Sequence, residues 1–233
     1  MTQLDLLDER RHVKVYDGES IPDKELIEKI LWRAWKVTPS KNNFMPYHVN
    51  VLGPERASEK ESIWMKSVKN KKSINETNIP KYHADYSEKH KVWKEDGYNA
   101  YFYHLKSAPY LLVFTQRVCT PNDYYRKSIE GGDFYEQMHE DHMESMLRTT
   151  AVEVGMFCAN LAVFALEEGL HTSTIACFPH GDPDKWKDLP WVEHPVVLLA
   201  SIGKSAQLRR EHMNTAERKD DIKPSAETVI KWI

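Results

Sequence analysis

Residues 151–178 read AVEVGMFCANLAVFALEEGLHTSTIACF, and this stretch decides the fold class. From Val154 to Leu166 every position is apolar except Asn160, with Gly155, Ala159, Ala162 and Ala165 spaced through the run. A surface helix shows polar residues at regular intervals. Here most of the circumference has none, so the helix must be covered on nearly all sides. At about thirteen residues it is too short for a bilayer, which takes about 20. Glu167, Glu168 and Gly169 end it, glycine being the usual residue just past a helix. Residues 171–178 follow as a polar and β-branched run that reads as a short strand. A buried helix feeding a strand forms the centre of a domain, or of a domain and its twin.

The rest of the composition bounds the answer. A chain of 233 residues can build one substantial core, and 41% apolar with 11% aromatic content is that of an ordinary globular protein. A net charge of −3 provides no global attraction for nucleic acid. The opening MTQLDLLDERR is charged and amphipathic, unlike a secretory signal, and no segment reads as a membrane span. Cys119, Cys158 and Cys177 are odd in number and show no paired spacing, which predicts reduced thiols and a cytoplasmic location. The chain has no G-x-G-x-x-G and no P-loop, so any bound phosphate must be held by side-chain cations.

Working outward, Leu4, Leu6 and Leu7 suggest a short opening helix. Arg10, Arg11, His12 and Lys14 then cluster, and the alternation around Val13 and Val15 predicts an extended segment with His12 and Lys14 on one face. Ile27, Ile30, Leu31, Ala34 and Trp35 recur at helical spacing, predicting an amphipathic helix over 24–37 that ends in the polar loop 38–43. Strands are expected at 48–52, 110–114 and 195–202; the last two are continuous apolar runs, hence covered on both faces. Helices are expected at 58–69, 87–105 and 134–147, and a short helix or turn at 182–189. His139 and His142 share a helix face, but Met143 breaks the H-E-x-x-H pattern and no third ligand sits at fixed spacing, so no metal site is expected. Val229, Ile230 and Trp232 end a polar tail and must bury on another element or another subunit. The expected architecture is one α+β domain over residues 1–233, a small mixed or antiparallel sheet covered by helices on both faces. A helical excursion spans 54–106 and a C-terminal arm spans 204–233.

Taken together, these segments resemble the nitroreductase-like flavoprotein family. The basic opening R-R-S-x-R-x-F of that family is matched by Arg10-Arg11-His12-Val13-Lys14-Val15-Tyr16. Its P-S-x-x-N-x-Q-P-W is matched by Pro39-Ser40-Lys41-Asn42-Asn43-Phe44-Met45-Pro46-Tyr47. Ala108-Pro109 ahead of a strand, Asn160-Leu161 ahead of Gly169-Leu170, the loosely matching Thr174-Ile175-Ala176-Cys177-Phe178, and late basic Arg218-Lys219 complete the order. His12, Met45, Tyr47 and Ala159 depart from the residues common there (Ser, Gln, Trp and Gln), and Ala176-Cys177 replaces two small, flexible positions.

The resemblance implies a dimeric three-layer fold and an FMN-dependent oxidoreductase of homodimeric form. It takes hydride from NADH or NADPH onto flavin N5 and passes electrons to a second small acceptor, such as a nitroaromatic or a quinone, by a ping-pong mechanism. No catalytic side chain is implied, because the flavin carries the chemistry. Arg10, Arg11, Arg218 and Lys219 are the expected phosphate cations, His12 and Lys14 the partners of the flavin pyrimidine, and Lys14 the residue that tunes the reduced flavin. Ala176 and Cys177 are expected to face N5 and O4 through their backbone amides, with Ile175 beside them as a further cofactor-binding residue. Pro39, Ser40, Lys41 and Asn43 are expected to reach the flavin of the other subunit. Nucleic acid, membrane and metal are not expected partners. Alternatives within the resemblance are an iodotyrosine-deiodinase-like enzyme, with a lid near Glu76, Tyr82 and Lys89, and a flavin-fragmenting relative. A non-catalytic binding protein of the same fold is the alternative outside enzymology.

Overall fold

The computed structural model describes residues 10, 12–13, 16–74, 104–117, 134–180, 183–206 and 226–231. The helices among them are α1 (Lys24–Val37), α2 (Ala57–Ile74), α3 (His104–Ser107), α4 (Phe134–Glu167) and α5 (Ala226–Val229). Four strands, β1 (Tyr47–Leu52), β2 (Tyr110–Gln116), β3 (His171–Ile175) and β4 (Val196–Gly203), form one antiparallel sheet in the order β1-β2-β4-β3. The opening helix at 4–7 and most of 87–105 lie outside the described residues, as does Trp232.

The unbroken apolar character of 110–114 has the cause expected of it. β2 is buried at every position, because strands flank both its edges and helices cover both its faces. Tyr110, Leu112 and Phe114 point into a core shared with Ile27, Ile30 and Ala34 of α1 and with Val154, Phe157, Leu161 and Ala165 of α4. Leu111 and Val113 point the other way, onto Ile63 and Trp64 of α2, Leu105 of α3, and Trp186 and Leu189 of the following turn. The period-2 pleat thus divides one apolar run between two cores. Asn160, the polar exception in the central helix, donates from Nδ2 to Thr38 Oγ1 at 3.0 Å and ties α4 to the end of α1.

Three expectations need correction. The strand starting at His171 stops at Ile175 and does not continue to Phe178. Phe178 donates its N–H to Ala176 O and turns inward, packing its ring 6.1 Å from that of Trp186, so the chain leaves the sheet to fill the second core. The segments 134–147 and 154–166 are one helix of 34 residues without a break between them. Its part Thr149–Glu167, at 19 residues and mean hydropathy 1.6, is by length and composition alone long and apolar enough to cross a membrane, where none was expected. Of that stretch 44% is buried, in the packed face just described.

Nor is the helix covered all round by the described residues. Val152 is 63% exposed, and Gly155 and Ala159 also face outward. The sheet covers one side of α4 and α1 a second. The third side, carrying residues at i, i+3 and i+7, meets no other described element. On α1, Trp32 and Trp35 are likewise 66% and 46% exposed.

Burial pushes the Cys158 thiol from 9.0 up to about 12, and burial together with the charges of Glu153 and Cys158 pushes the Tyr47 phenol up to about 12. Both groups are neutral in the fold and ionise more readily once unfolded. Their contribution is complete below the unfolded pKa values and is lost as pH rises through the folded ones. The urea midpoint is expected to hold to about pH 8 and to fall from about pH 9 upward. Cys158 should resist iodoacetamide at pH 8 until urea unfolds the chain. Alkylation of Cys158 in the folded protein as fast as in urea would contradict its burial.

Candidate cofactor site

The N-terminal segment lies across the β3–β4 end of the sheet. Tyr16 is buried, donates its OH to Ser201 O at 3.1 Å and pairs with the Ser201 hydroxyl at 2.9 Å. Burial holds that phenol well above its usual range against the opposing Ser201 hydrogen bond. A bridge from Tyr16 to Ser205 and an N–H from Asp17 to Lys204 O at 2.9 Å continue the attachment. Gly203 is required at this crossing, since a Cβ there would stand 2.6 Å from Pro109 Cδ and 3.0 Å from the Tyr16 ring. The same segment places half-buried His12 with Nε2 2.7 Å from Ser173 Oγ, and with its ring edge-on to that of buried His104 at 5.6 Å. Arg10 is exposed.

Two residues beyond Ser173, β3 ends and the chain passes Ile175, Ala176 and Cys177. Ile175 is buried, Ala176 exposed and Cys177 half-buried. Because the ladder stops at Ile175, the backbone N–H groups of Ala176 and Cys177 are taken by no partner among the described residues. The Ala176 carbonyl is occupied, being 2.7 Å from His180 Nε2. The two backbone donors at the β3 exit, with the His12 ring held farther back on Ser173, form among the described residues a donor set that suits an anionic, hydrogen-bond-accepting ring system such as reduced FMN.

The second group of candidates lies elsewhere. Residues 38–46 join α1 to β1, with a 3-10 turn at Lys41–Asn43. Asn43 and Met45 have φ of 55° and 47°, left-handed values that cost a side-chain-bearing residue about 1–3 kcal/mol each. The loop is held from several directions. Ser40 Oγ accepts the Met45 N–H at 2.8 Å, and Glu153 Oε1 accepts the Lys41 N–H at 3.0 Å. Arg117 donates Nε to Met45 O at 3.0 Å, Nη2 to Phe44 O, and its backbone N–H to Pro46 O at 3.0 Å. Pro39, Lys41 and Asn43 are exposed. Nearby His48 is held below its usual pKa by partial burial and by the positive charges of Arg117 and His194, with Glu193 opposing.

The described residues therefore place His12 and 175–177 at the β3 edge of the sheet and 39–43 at the β1 edge. The loop enters β1 at one edge of the sheet, whereas Ala176 leaves β3 at the other. Three strand spacings separate those edges, about 14 Å. Arg11, Lys14, Arg218 and Lys219 lie outside the described residues. Sequence reasoning did not single out Ser173, His104, Glu153 or Arg117. Glu153 could have been found: it is the acid directly preceding the apolar run 154–166, and it falls inside the helix once the helix is known to continue past that point. Nothing near Arg117 or His104 in the sequence marks either residue.

The sequence profile of the Nitroreductase family matches residues 7–204. No curated protein matches the sequence. Among solved structures, a protein from Staphylococcus epidermidis designated an NAD(P)H:FMN oxidoreductase superposes with a TM-score of 0.61 at 17% identity, covering 100% of this chain and 96% of its own. A protein from Exiguobacterium sibiricum designated a nitroreductase, solved in complex with FMN, gives 0.61 at 14% identity, with 100% and 98% covered. A nitroreductase-like protein from Streptococcus mutans gives 0.58 at 18% identity, with 94% and 98% covered. At these identities the likeness is one of fold.

Proposed function

Because this chain belongs to the nitroreductase family, we propose that it is an FMN-dependent oxidoreductase that uses NADH or NADPH to reduce a second small molecule, such as a nitroaromatic or a quinone. Bound FMN would supply the redox chemistry, two-electron transfer between the nicotinamide and the acceptor. The protein binds and orients. Arg10, Arg11, Arg218 and Lys219 offer cations to a dianionic phosphate that no glycine loop cradles. His12 and Lys14 offer donors to the pyrimidine ring, with His12 fixed by its hydrogen bond to Ser173. The amides of Ala176 and Cys177, which have no partner among the described residues, offer two further donors at the β3 exit.

One observation carries the assembly. The described candidates fall at opposite edges of one sheet, which supports a site that takes 39–43 from a second copy. A homodimer also provides cover for the outward face of α4 and for Trp32 and Trp35, which with Phe44, Met45, Val49 and Val51 line a groove of about 600 Å³. Interfaces of obligate dimers bury about 2,000–5,000 Å² and resemble a core cut in half. In this reading residues 1–233 form one nitroreductase domain, in which 54–106 is a helical excursion and 204–233 an arm.

The purified protein is expected to be yellow, or to become so on incubation with FMN, and to bleach anaerobically on addition of NADH or NADPH. Light scattering at micromolar concentration should give twice the chain mass of 27.2 kDa. A protein that stays colourless with excess FMN removes the enzyme reading. A monomer that retains FMN removes the shared site.

A further inference from the structure

The loop 40–46 is built to be rigid without a ligand, and two residues outside it are responsible. Ser40 stands at the N-cap of the Lys41–Asn43 turn yet makes no side-chain cap. Its hydroxyl instead spans the loop to the Met45 N–H. The Lys41 N–H, an amide that would otherwise be left open at the start of the turn, is capped from a different element by Glu153 of α4. Glu153 is only 3% exposed, and its Oε2 has no hydrogen-bond partner among the described residues. A carboxylate in that position is costly to bury, and among the described residues its hydrogen bond is the one to the loop. On the far side, the Arg117 fork and backbone take three consecutive carbonyls, Phe44, Met45 and Pro46. Those bonds bracket the two residues with left-handed φ, Asn43 and Met45. Left-handed backbone at a non-glycine residue persists only where its surroundings over-determine it.

We infer that Glu153 and Arg117 are positioning residues, which clamp the 40–46 loop in its left-handed geometry before any cofactor arrives and so set how tightly the cofactor is held. The inference rests on the proposed flavin site, because it is the position of Ser40, Lys41 and Asn43 in that reading that makes loop geometry matter. The clamp also restricts what the loop can offer. The Lys41 amide and the acceptor face of the Ser40 hydroxyl are committed within the chain, so the loop presents the Lys41 and Asn43 side chains and the Ser40 O–H proton. A loop ordered in advance contributes affinity by removing an ordering cost at binding.

The test uses the full chain with Glu153→Ala and Glu153→Gln. Gln keeps an oxygen that can accept the Lys41 N–H and removes the charge; Ala removes both. Two quantities are read: deuterium exchange of the 40–45 amides without FMN, and FMN affinity by quenching of flavin fluorescence. Glu153→Ala is expected to speed exchange at Lys41 and Met45 and to raise the FMN Kd about tenfold, the scale of one buried hydrogen bond to a charged group. Glu153→Gln should restore slow exchange and most of the affinity. If Glu153→Ala does not fold, Arg117→Lys, which keeps the charge and loses the fork, is read in the same way. Unchanged exchange overturns the clamp. Fast exchange with a wild-type Kd overturns its role in the site, as does failure of Gln to rescue. Wild-type protein that binds no FMN overturns the flavin reading and the cofactor half of this inference, while the exchange pattern still decides the clamp.

Discussion

Phe114→Ala is expected to lower the unfolding free energy by about 3–5 kcal/mol, the range for removing a fully buried phenylalanine. Phe114 is 0% exposed, on a strand with neighbours at both edges. Its ring lies 5.6 Å from Phe157 on α4 and 6.2 Å from Tyr47 on β1, so it joins the central helix to the edge strand that follows the loop. Backbone pairing of β2 limits how far the sheet can collapse into the void, which places the cost toward the upper end of that range. Set against a total of about 5–15 kcal/mol for an ordinary domain, such a loss leaves a chain that unfolds at far lower urea. Phe114→Leu keeps most of the volume and should cost about 1–1.5 kcal/mol. Urea unfolding of the two variants measures the difference, and a loss below about 1 kcal/mol for Phe114→Ala would contradict the packing.

The second large effect separates two roles in the basic N-terminal segment. If Lys14 lies beside the flavin pyrimidine, its ammonium favours the negative charge that reduction brings. At an effective dielectric of about 20 and about 4 Å the Coulomb energy is about 4 kcal/mol, and solvent exposure with delocalisation over the ring reduces it to about 1–3 kcal/mol. For a two-electron couple about 1.4 kcal/mol is about 30 mV, so Lys14→Met should lower the midpoint potential by about 20–60 mV and slow reduction by NAD(P)H. Affinity should change less, because the phosphate contacts survive. Arg10→Ala should do the reverse. Losing a charge-assisted hydrogen bond worth about 1.5–3 kcal/mol raises the FMN Kd about 10- to 150-fold, with little change in potential. Arg218→Ala is expected to behave like Arg10→Ala. Redox titration beside FMN titration distinguishes them, and an unshifted potential in Lys14→Met removes Lys14 from the site.

Residue pattern alone determined the layers of this protein. An apolar run of strand length at 110–114, directly after Pro109, reads as a strand covered on both faces, and period 3.6 at 24–37 reads as an amphipathic helix. The order of the short basic, P-S-x-x-N and N-L segments was enough to identify the family, because order and spacing survive where individual residues such as His12 and Met45 have changed.

What only the tertiary structure decided is which candidates share a place. Strand order is not written in local pattern, since β2 pairs with β1 and β4 by contacts distant in sequence. That order puts 39–43 and 175–177 on opposite edges of the sheet, a separation on which the proposal of a site shared between two copies rests. The outward face of α4 was hidden for a related reason: an apolar helix reads the same whether its cover comes from its own chain or from another. Glu153 and Arg117 were illegible as a pair because 36 positions separate them, and they converge only when α4 and the end of β2 pack around one loop. Hydrophobic periodicity reports that a side chain is covered, and the three-dimensional fold determines by what.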